Sequence, residues 1–263
     1  MSASPSADIA AGAQRTGAIA VRELRKSYGP AGTHSLALDG LDLAVTPGEF
    51  VCLVGASGCG KSTLLNVIAG LDHASSGTVE VGGKAGLMFQ ESALFPWLSV
   101  QANIELALRL IGVPRAKRAE RARELIALVR LTGSEHRRPH QLSGGMRQRA
   151  ALARALAQDT DILLMDEPFG ALDAITRDLL HDELERLWST TTLTVLFVTH
   201  NVREAVRLGD RVLVLSSRPG RVVREYAVPL GRPRRMDSAE VVTIAGEVTE
   251  TLRQEVRRHA GGH

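Results

Sequence analysis

A glycine-rich loop at residues 55–63 restricts the possible folds of this chain more than any other feature of its sequence. A short apolar run at 50–54 precedes the loop, and a segment with the composition of a helix follows at 61–69. The loop matches the pattern G-x-x-x-x-G-K-[S/T], in which backbone N–H groups and the positive end of a helix dipole bind phosphate oxygens. Strand, loop and helix in this order predict an α/β protein that binds a nucleotide by its phosphates. The residues of the loop are Gly55, Ala56, Ser57, Gly58, Cys59, Gly60, Lys61, Ser62 and Thr63.

Chemical roles follow for two side chains of the loop and for two carboxylates further along the chain. We expect Lys61 to reach the β- and γ-phosphates and the Ser62 hydroxyl to bind Mg²⁺. An apolar run at 162–165 ends in Asp166, placed to hold Mg²⁺ through its water shell, and Glu167, which can orient and polarise the attacking water. By itself such an acidic pair is more often a helix cap or a solvated turn, and the upstream loop favours the catalytic interpretation. Together these residues predict an NTPase and no narrower class.

A second candidate anion-binding terminus lies at residues 142–149, where a serine and two glycines open a predicted helix. One nucleotide does not need two such loops within one subunit. A head-to-tail homodimer does, because each ATP then contacts the phosphate loop of one copy and the second loop of the other. Leu142, Ser143, Gly144 and Gly145 resemble the signature motif of ATP-binding-cassette (ABC) proteins. The resemblance to an ABC transporter ATP-binding subunit extends over residues 19–220.

This resemblance implies roles for four more residues. Tyr28 corresponds to the aromatic residue that stacks on adenine, with a core residue at a strand end as the alternative interpretation. Gln90 corresponds to the glutamine that contacts Mg²⁺ and links the catalytic lobe to the helical lobe. Asp173, in the loop 171–173, corresponds to the residue that meets its counterpart across the dimer, and His200 to the histidine that contacts the γ-phosphate. The implied cofactors are ATP and Mg²⁺, the implied catalytic residues are Lys61, Gln90, Glu167 and His200, and the implied metal ligands are Ser62, Gln90 and Asp166.

Two positions depart from the family pattern. Met146 stands where many members have glutamine, which should not abolish nucleotide binding. Asn201 follows His200 where aspartate is usual, so the hydrogen bonding at this position is left open. Neither residue belongs to the groups with an inferred chemical role.

The order of the predicted elements defines the expected architecture. Strands alternate with helices, which favours a mostly parallel core sheet, and an all-helical lobe at about 91–158 interrupts them. The resemblance adds an antiparallel β subdomain, so the expected fold is the α/β fold of a P-loop NTPase of the ABC type. We expect a disordered leader at 1–17, the ATPase domain at 18–228 and a tail with a helix at 229–263.

Composition restricts the location and the partners. Cys52 and Cys59 are the only two cysteines and lie in or beside the glycine-rich loop, which fits a reducing cytoplasm better than a disulfide. No apolar stretch approaches the roughly 18–20 residues that cross a bilayer. A net charge of +3 does not establish nucleic-acid binding, and none is expected. The resemblance implies a protein peripheral to the cytoplasmic face of the membrane, with permease subunits and, indirectly, an extracytoplasmic solute-binding protein as partners.

Three segments narrow the family further. Residues 94–97, 165–177 and 217–221 resemble the importer branch for nitrate, sulfonate and taurine, and aliphatic sulfonates are the favoured cargo. We expect residues 95–97 where the helical lobe receives a permease helix, with a buried core position for Trp97 as the alternative. A different importer, an exporter, or an ABC ATPase that acts on DNA or ribosomes remains the alternative function. The short helical lobe, the single cassette and the absence of membrane helices argue against exporters and against the DNA and ribosome classes.

Overall fold

The computed structural model describes residues 18–29, 35–170 and 172–260. The leader expected at 1–17 lies outside the described residues, and so does Ala171 in the loop before Asp173. The strands are β1 (Ile19–Tyr28), β2 (Ser35–Val45), β3 (Phe50–Val54), β4 (Ser76–Val81), β5 (Ala85–Met88), β6 (Ile162–Asp166), β7 (Thr194–Val198), β8 (Arg211–Leu215) and β9 (Val222–Ala227). The helices are α1 (Lys61–Ile68), α2 (Val100–Leu110), α3 (Arg115–Leu128), α4 (Gly144–Leu156), α5 (Ala174–Ser189), α6 (Val202–Leu208) and α7 (Ala239–Ala260), with one 3₁₀ turn at Pro139–Gln141.

Six strands form the central sheet in the order β5-β6-β7-β3-β8-β9. All neighbours are parallel except β8 and β9, which are antiparallel. Every side chain of β3 and β7 is buried, as expected for parallel strands with other elements on both faces. Because β3 lies between β7 and β8, the phosphate loop that follows it leaves from the interior of the sheet.

Strands β2, β1 and β4, in that order, form a separate antiparallel sheet. Its buried residues Ile19, Val21 and Leu41 belong to one apolar cluster with Leu53 of β3 and Leu64 of α1. This shared core attaches the antiparallel sheet to α1 and to the strand that carries the phosphate loop. The sheet is the antiparallel β subdomain that the family resemblance implied.

The helices α2, α3 and α4 lie between β5 and β6 in the chain. Ser99 begins α2, and its hydroxyl accepts a hydrogen bond at 3.2 Å from the N–H three residues later. Ile104 and Leu108 of α2 share a core with Ile126 of α3 and Ala150 of α4. The sequence therefore places a helical insertion in an otherwise α/β chain, and the predicted fold class is confirmed.

The last described segment is attached to the ATPase fold. Arg234 is 6% exposed and donates hydrogen bonds to backbone carbonyls at the end of α6, at 3.0 Å to Val206 and 2.6 Å to Gly209. Val241 and Val248 of α7 are fully buried. Helix α7 thus packs on the domain, in contact with α6 and β8.

Two elements were not predicted from the sequence. Helix α6 has seven residues, too few to give a clear apolar period. Strand β9 is an edge strand whose side chains are mostly exposed, so it lacks the apolar run that marks the interior strands. Among the helices that the structure describes, none combines the length and the apolar character needed to cross a membrane.

Candidate functional site

The phosphate loop connects β3 to α1, and glycine is required at its last turn. Gly60 precedes α1 with φ of +99°, a conformation that L side chains rarely adopt. A Cβ atom at Gly60 would lie 2.7 Å from Cδ2 of Leu38 and 2.8 Å from the carbonyl oxygen of Ala37. Another glycine, Gly220, packs directly on the loop, where an added Cβ would lie 2.2 Å from the carbonyl oxygen of Cys59. The backbone of the loop is therefore enclosed by strand β2 and by the segment after β8.

Lys61 is held against the loop to which it belongs. The side chain is 6% exposed, and its Nζ donates to the carbonyl oxygens of Gly55 at 2.9 Å and Ala56 at 3.0 Å. The Sγ of Cys59 lies 3.7 Å from the same nitrogen. Burial raises the pKa of the Cys59 thiol, and the neighbouring Lys61 charge opposes that rise. The thiol therefore stays protonated at neutral pH, and Lys61 is the charged group of the loop.

Ser62 and Asp166 lie together at the start of α1 and the end of β6. The Ser62 side chain lies close enough to Asp166 to oppose, through a hydrogen bond, the rise that burial causes in the pKa of that carboxyl. Burial is the main cause that raises the pKa of Asp166, and the Glu167 charge adds to it, while Ser62 and Lys61 oppose it. A hydroxyl and a carboxylate are oxygen donors of the kind that Mg²⁺ prefers, together with phosphate oxygens and water. Among the described residues, no group of three or more His, Cys, Asp or Glu side chains is arranged so that it could hold a metal ion.

Glu167 and His200 form a second pair, at the ends of the neighbouring strands β6 and β7. The carboxylate Oε2 of Glu167 lies 2.8 Å from Nδ1 of His200. Glu167 has φ of +44°, which is uncommon for a residue other than glycine, and its N–H donates to the carbonyl of Val198 at 2.9 Å. The Glu167 side chain is 22% exposed and that of His200 is 63% exposed. The pair is thus accessible to solvent while its backbone is fixed by the sheet.

Gln90 follows β5, and its side chain is exposed. Its backbone carbonyl accepts a hydrogen bond at 2.9 Å from Nε2 of Gln148, which is 6% exposed on α4. Arg154 of the same helix donates to the carbonyl of Ala93 at 2.5 Å. Sequence reasoning missed Gln148, although it stands beside the signature residues. The loop that carries Gln90 is therefore attached at two points to the helix that begins at the signature motif.

The signature residues lie at the N-terminus of α4 and pack against the start of α5. The Ser143 hydroxyl caps α4 by accepting the N–H of Met146 at 3.3 Å. A Cβ at Gly145 would lie 2.3 Å from Cγ2 of Thr176, so only glycine fits there. Asp173 caps α5 by accepting the N–H of Thr176 at 3.0 Å, and this hydrogen bond lowers the pKa of the Asp173 carboxyl. The signature loop and the loop before Asp173 are thus neighbours, whereas the phosphate loop packs on β2 and Gly220.

Tyr28 lies at the end of β1 and is 43% exposed, so the alternative of a core residue is wrong. Its hydroxyl donates to Asp72 at 2.8 Å, and Nζ of Lys26 lies 4.8 Å from the ring centroid. Hydrogen bonds from Lys26 and Tyr28 lower the pKa of Asp72 to about 2. The ring is fixed at its hydroxyl end and keeps an exposed surface.

An apolar groove lies between the helical lobe and the central sheet. Trp97 is 66% exposed, so the alternative of a core position for it is wrong, and its ring centroid lies 5.5 Å from that of Phe95. A cavity of about 400 Å³ is lined by Phe95 together with Leu71, Phe89 and Leu110, which are all exposed. Exposed apolar side chains that share one groove in this way are typical of binding surfaces for proteins or ligands.

The structure answers the question left open at Asn201. Its side-chain oxygen accepts the N–H groups of Arg203 at 3.1 Å and Glu204 at 3.3 Å. Asn201 is therefore the N-cap of α6, a position at which asparagine and aspartate are both favoured. The replacement of aspartate by asparagine keeps this local function.

Comparison with known proteins extends these local matches to most of the chain. The family described as ABC transporter matches residues 38–170. An aliphatic sulfonates import ATP-binding protein of Bacillus subtilis is 42% identical over 239 residues, 88% of this chain and 92% of that protein. A taurine import ATP-binding protein of Burkholderia pseudomallei is 48% identical over 204 residues, 74% and 78% of the two chains. A solved dimeric ATP-binding cassette in a post-hydrolysis state, bound to ADP and Pi, is 33% identical with a TM-score of 0.73, covering 81% of this chain and 100% of that one.

Proposed function

The chain belongs to the ABC transporter family, and on this premise we propose that it is the ATPase subunit of an importer for small sulfonate anions. ATP binding and hydrolysis follow from the family. The observation that supports the cargo is the 42% identity to an aliphatic sulfonates import protein over 88% of this chain. A second relative, which matches 74% of this chain, is a taurine import ATP-binding protein, and taurine also carries a sulfonate group.

Binding of ATP begins at the phosphate loop. The backbone N–H groups of the loop bind the phosphates, and Lys61 exchanges its hydrogen bonds to the carbonyls of Gly55 and Ala56 for bonds to phosphate oxygens. Tyr28 offers the exposed part of its ring to adenine. Ser62 and Asp166 would hold Mg²⁺, which would supply positive charge that neutralises the phosphates.

Hydrolysis is assigned to the pair at the ends of β6 and β7. Glu167 orients the attacking water and accepts its proton. His200 contacts the Glu167 carboxylate through Nδ1 at 2.8 Å, and we assign to its Nε2–H the hydrogen bond donated to a γ-phosphate oxygen. Gln90 contributes to the same centre from the helical side, because its loop is attached to α4. Movement of the helical lobe therefore changes the position of Gln90.

A second copy completes the site. Ser143, Gly144 and Gly145 lie beside the start of α5 and not on the phosphate loop of their own chain, so we assign them to the ATP held by the other copy. Asp173 lies next to them and meets its counterpart at the dimer interface. The similar solved cassette is dimeric, which supports a head-to-tail homodimer that closes on ATP.

The apolar groove receives a helix of a membrane permease subunit. Phe95 is positioned for this contact, because its N–H donates at 2.8 Å to Oδ1 of Asn103, a fully buried residue of α2. Trp97 and Phe95 stand together beside the groove as a rigid aromatic pair of the type that dominates interface energies. The protein is then peripheral to the membrane, and a solute-binding protein delivers the cargo to the permease.

Growth of a strain without this gene tests the cargo. We expect failure on an alkanesulfonate or taurine as sole sulfur source, normal growth on sulfate, and rescue by the wild-type gene but not by Glu167→Gln. Growth on nitrate as sole nitrogen source serves as a second control. Normal growth on every sulfonate would overturn the cargo assignment, while ATP hydrolysis by the purified protein would remain a separate result.

A further inference from the structure

A chain of buried polar side chains leads from α5 to the strand end that carries His200. His181 on α5 is 0% exposed, and its Nε2 lies 2.5 Å from Oε1 of Glu204. Glu204 on α6 is 4% exposed, and its other oxygen accepts the hydroxyl of Thr199. Thr199, 2% exposed, directly precedes His200. Two helices are thus connected to the histidine through side chains that water does not reach.

Arg207 fixes the direction of these hydrogen bonds. A guanidinium has donors only, and Nη1 of Arg207 lies 3.2 Å from Nδ1 of His181. Nδ1 must therefore accept, the ring proton resides on Nε2, and Nε2 donates to Glu204. Arg207 is in turn held by ion pairs with Asp178 and Asp182, which are largely exposed. Glu204 accordingly accepts one hydrogen bond from Nε2 of His181 and one from the hydroxyl of Thr199.

Thr199 connects the Glu204 carboxylate to the backbone on both sides of His200. Its N–H donates at 3.1 Å to the carbonyl of Leu53 in β3, and its hydroxyl accepts the N–H of Asn201 at 3.0 Å. The His200 ring itself is mostly exposed, so its direction depends on this backbone and on its contact with Glu167. We propose that His181 and Glu204 are positioning residues for ATP hydrolysis, which hold His200 in place through Thr199.

The proposal rests on the function proposed above, because it takes His200 as the residue that contacts the γ-phosphate. A merely structural role, in which the same hydrogen bonds only attach α6 to α5, makes a different prediction. Loss of the network would then lower stability and leave the turnover of the folded enzyme unchanged. The two roles are separated by a double-mutant cycle between Glu204 and His200, measured as kcat and KM.

Glu204→Gln is the first variant of the cycle. Glutamine keeps the volume, but its NH₂ group donates where the carboxylate accepted, so it cannot accept both the Thr199 hydroxyl and the His181 N–H. We expect kcat for ATP to fall about tenfold with KM within about twofold, as for a small displacement of a catalytic group. In a His200→Ala background, Glu204→Gln should alter kcat less than about twofold, because the histidine that Glu204 positions is no longer present.

Further variants provide rescue and a control. His181→Phe, which removes the donor, should lower kcat, whereas His181→Gln, which keeps an N–H near the position of Nε2, should restore most of it. Thr251→Val is the control: it removes the 2.5 Å hydrogen bond between Thr251 of α7 and Tyr226 of β9. We expect it to lower thermal stability about as much as Glu204→Gln does and to leave kcat unchanged. If Glu204→Gln does not fold, the isosteric Thr199→Val replaces it in the cycle.

Two results would overturn the proposal. One is a folded Glu204→Gln enzyme with wild-type kcat, and the other is an equal loss of kcat with and without His200. A His200→Ala enzyme that hydrolyses ATP normally would instead refute the role of His200 in the proposed function, and the positioning role with it. Loss of kcat in both single variants, with no further loss in the double variant, supports the proposal.

Discussion

Replacement of Glu167 by glutamine tests the assignment of the general base. The side-chain volume is kept, and the backbone is fixed independently by the hydrogen bond from the Glu167 N–H to Val198. We therefore expect an unchanged unfolding temperature. An amide cannot accept the proton of the attacking water, so kcat should fall by about 10²- to 10⁴-fold. This loss equals about 3 to 5.5 kcal/mol of barrier at about 1.4 kcal/mol per tenfold change.

ATP binding should survive the same change, because the groups assigned to the phosphates are the loop backbone and Lys61. Phosphate release measures kcat, titration with ATP measures affinity, and size-exclusion chromatography with ATP and Mg²⁺ measures the dimer, which should accumulate. Glu80→Gln, at an exposed position of β4, is the matched control and should hydrolyse ATP normally. A folded Glu167→Gln protein that binds ATP and keeps kcat within about threefold would refute Glu167 as the base.

Three further changes test the loop, the tail and the groove. Gly60→Ala should abolish ATP binding or folding, because the new Cβ would lie 2.8 Å from the Ala37 carbonyl oxygen. Its control is Gly70→Ala, where φ is +69° and an added Cβ would have no neighbour within 4 Å. Gly70→Ala should lower the free energy of unfolding in urea by only about 1 kcal/mol. Arg234→Met should lower the free energy of unfolding by about 3 kcal/mol, because buried carbonyls at the end of α6 lose their donor. Arg235→Met, at an 82% exposed side chain, is its control and should change unfolding by less than about 0.5 kcal/mol. Trp97→Ala should leave ATPase activity and stability of the isolated subunit unchanged but reduce co-purification with the permease, and unchanged co-purification would contradict the docking assignment.

The sequence predicted those parts of the site that are local in the chain. The apolar run of β3, the loop after it and α1 are contiguous, so their order in the sequence predicted the strand, loop and helix that the structure contains. The capping role of Asn201 could not be predicted in this way. The helix that it caps, α6, has only seven residues, too few for an apolar period to be detected. The exposure of Trp97 was also left open, since an aromatic residue in a loop is compatible with either a core or a docking surface.

Long-range contacts account for the residues that sequence reasoning missed. His181 and Glu204 are 23 positions apart, and Gln148 and the carbonyl it holds at Gln90 are 58 apart. Nothing in the local composition indicates such a partner, because buried polar side chains are hydrogen-bonded in most folded proteins whatever their function. Only the packing of α5 on α6, and of α4 beside the loop after β5, brings these groups together.

The spatial order of the strands explains how two adjacent carboxylates acquire different partners. Strands β6, β7 and β3 are neighbours in that order, although β3 comes first in the chain. Neighbouring strands lie about 4.8 Å apart, so the end of β6 is about 10 Å from the start of the phosphate loop, with the end of β7 between them. At the end of β6, burial raises the pKa of Asp166 and a hydrogen bond from Ser62 opposes that rise, while the positive φ of Glu167 accompanies a contact with His200, which follows β7. The carboxylates that we assign to Mg²⁺ and to the proton of the attacking water can therefore be consecutive in sequence without competing for one position.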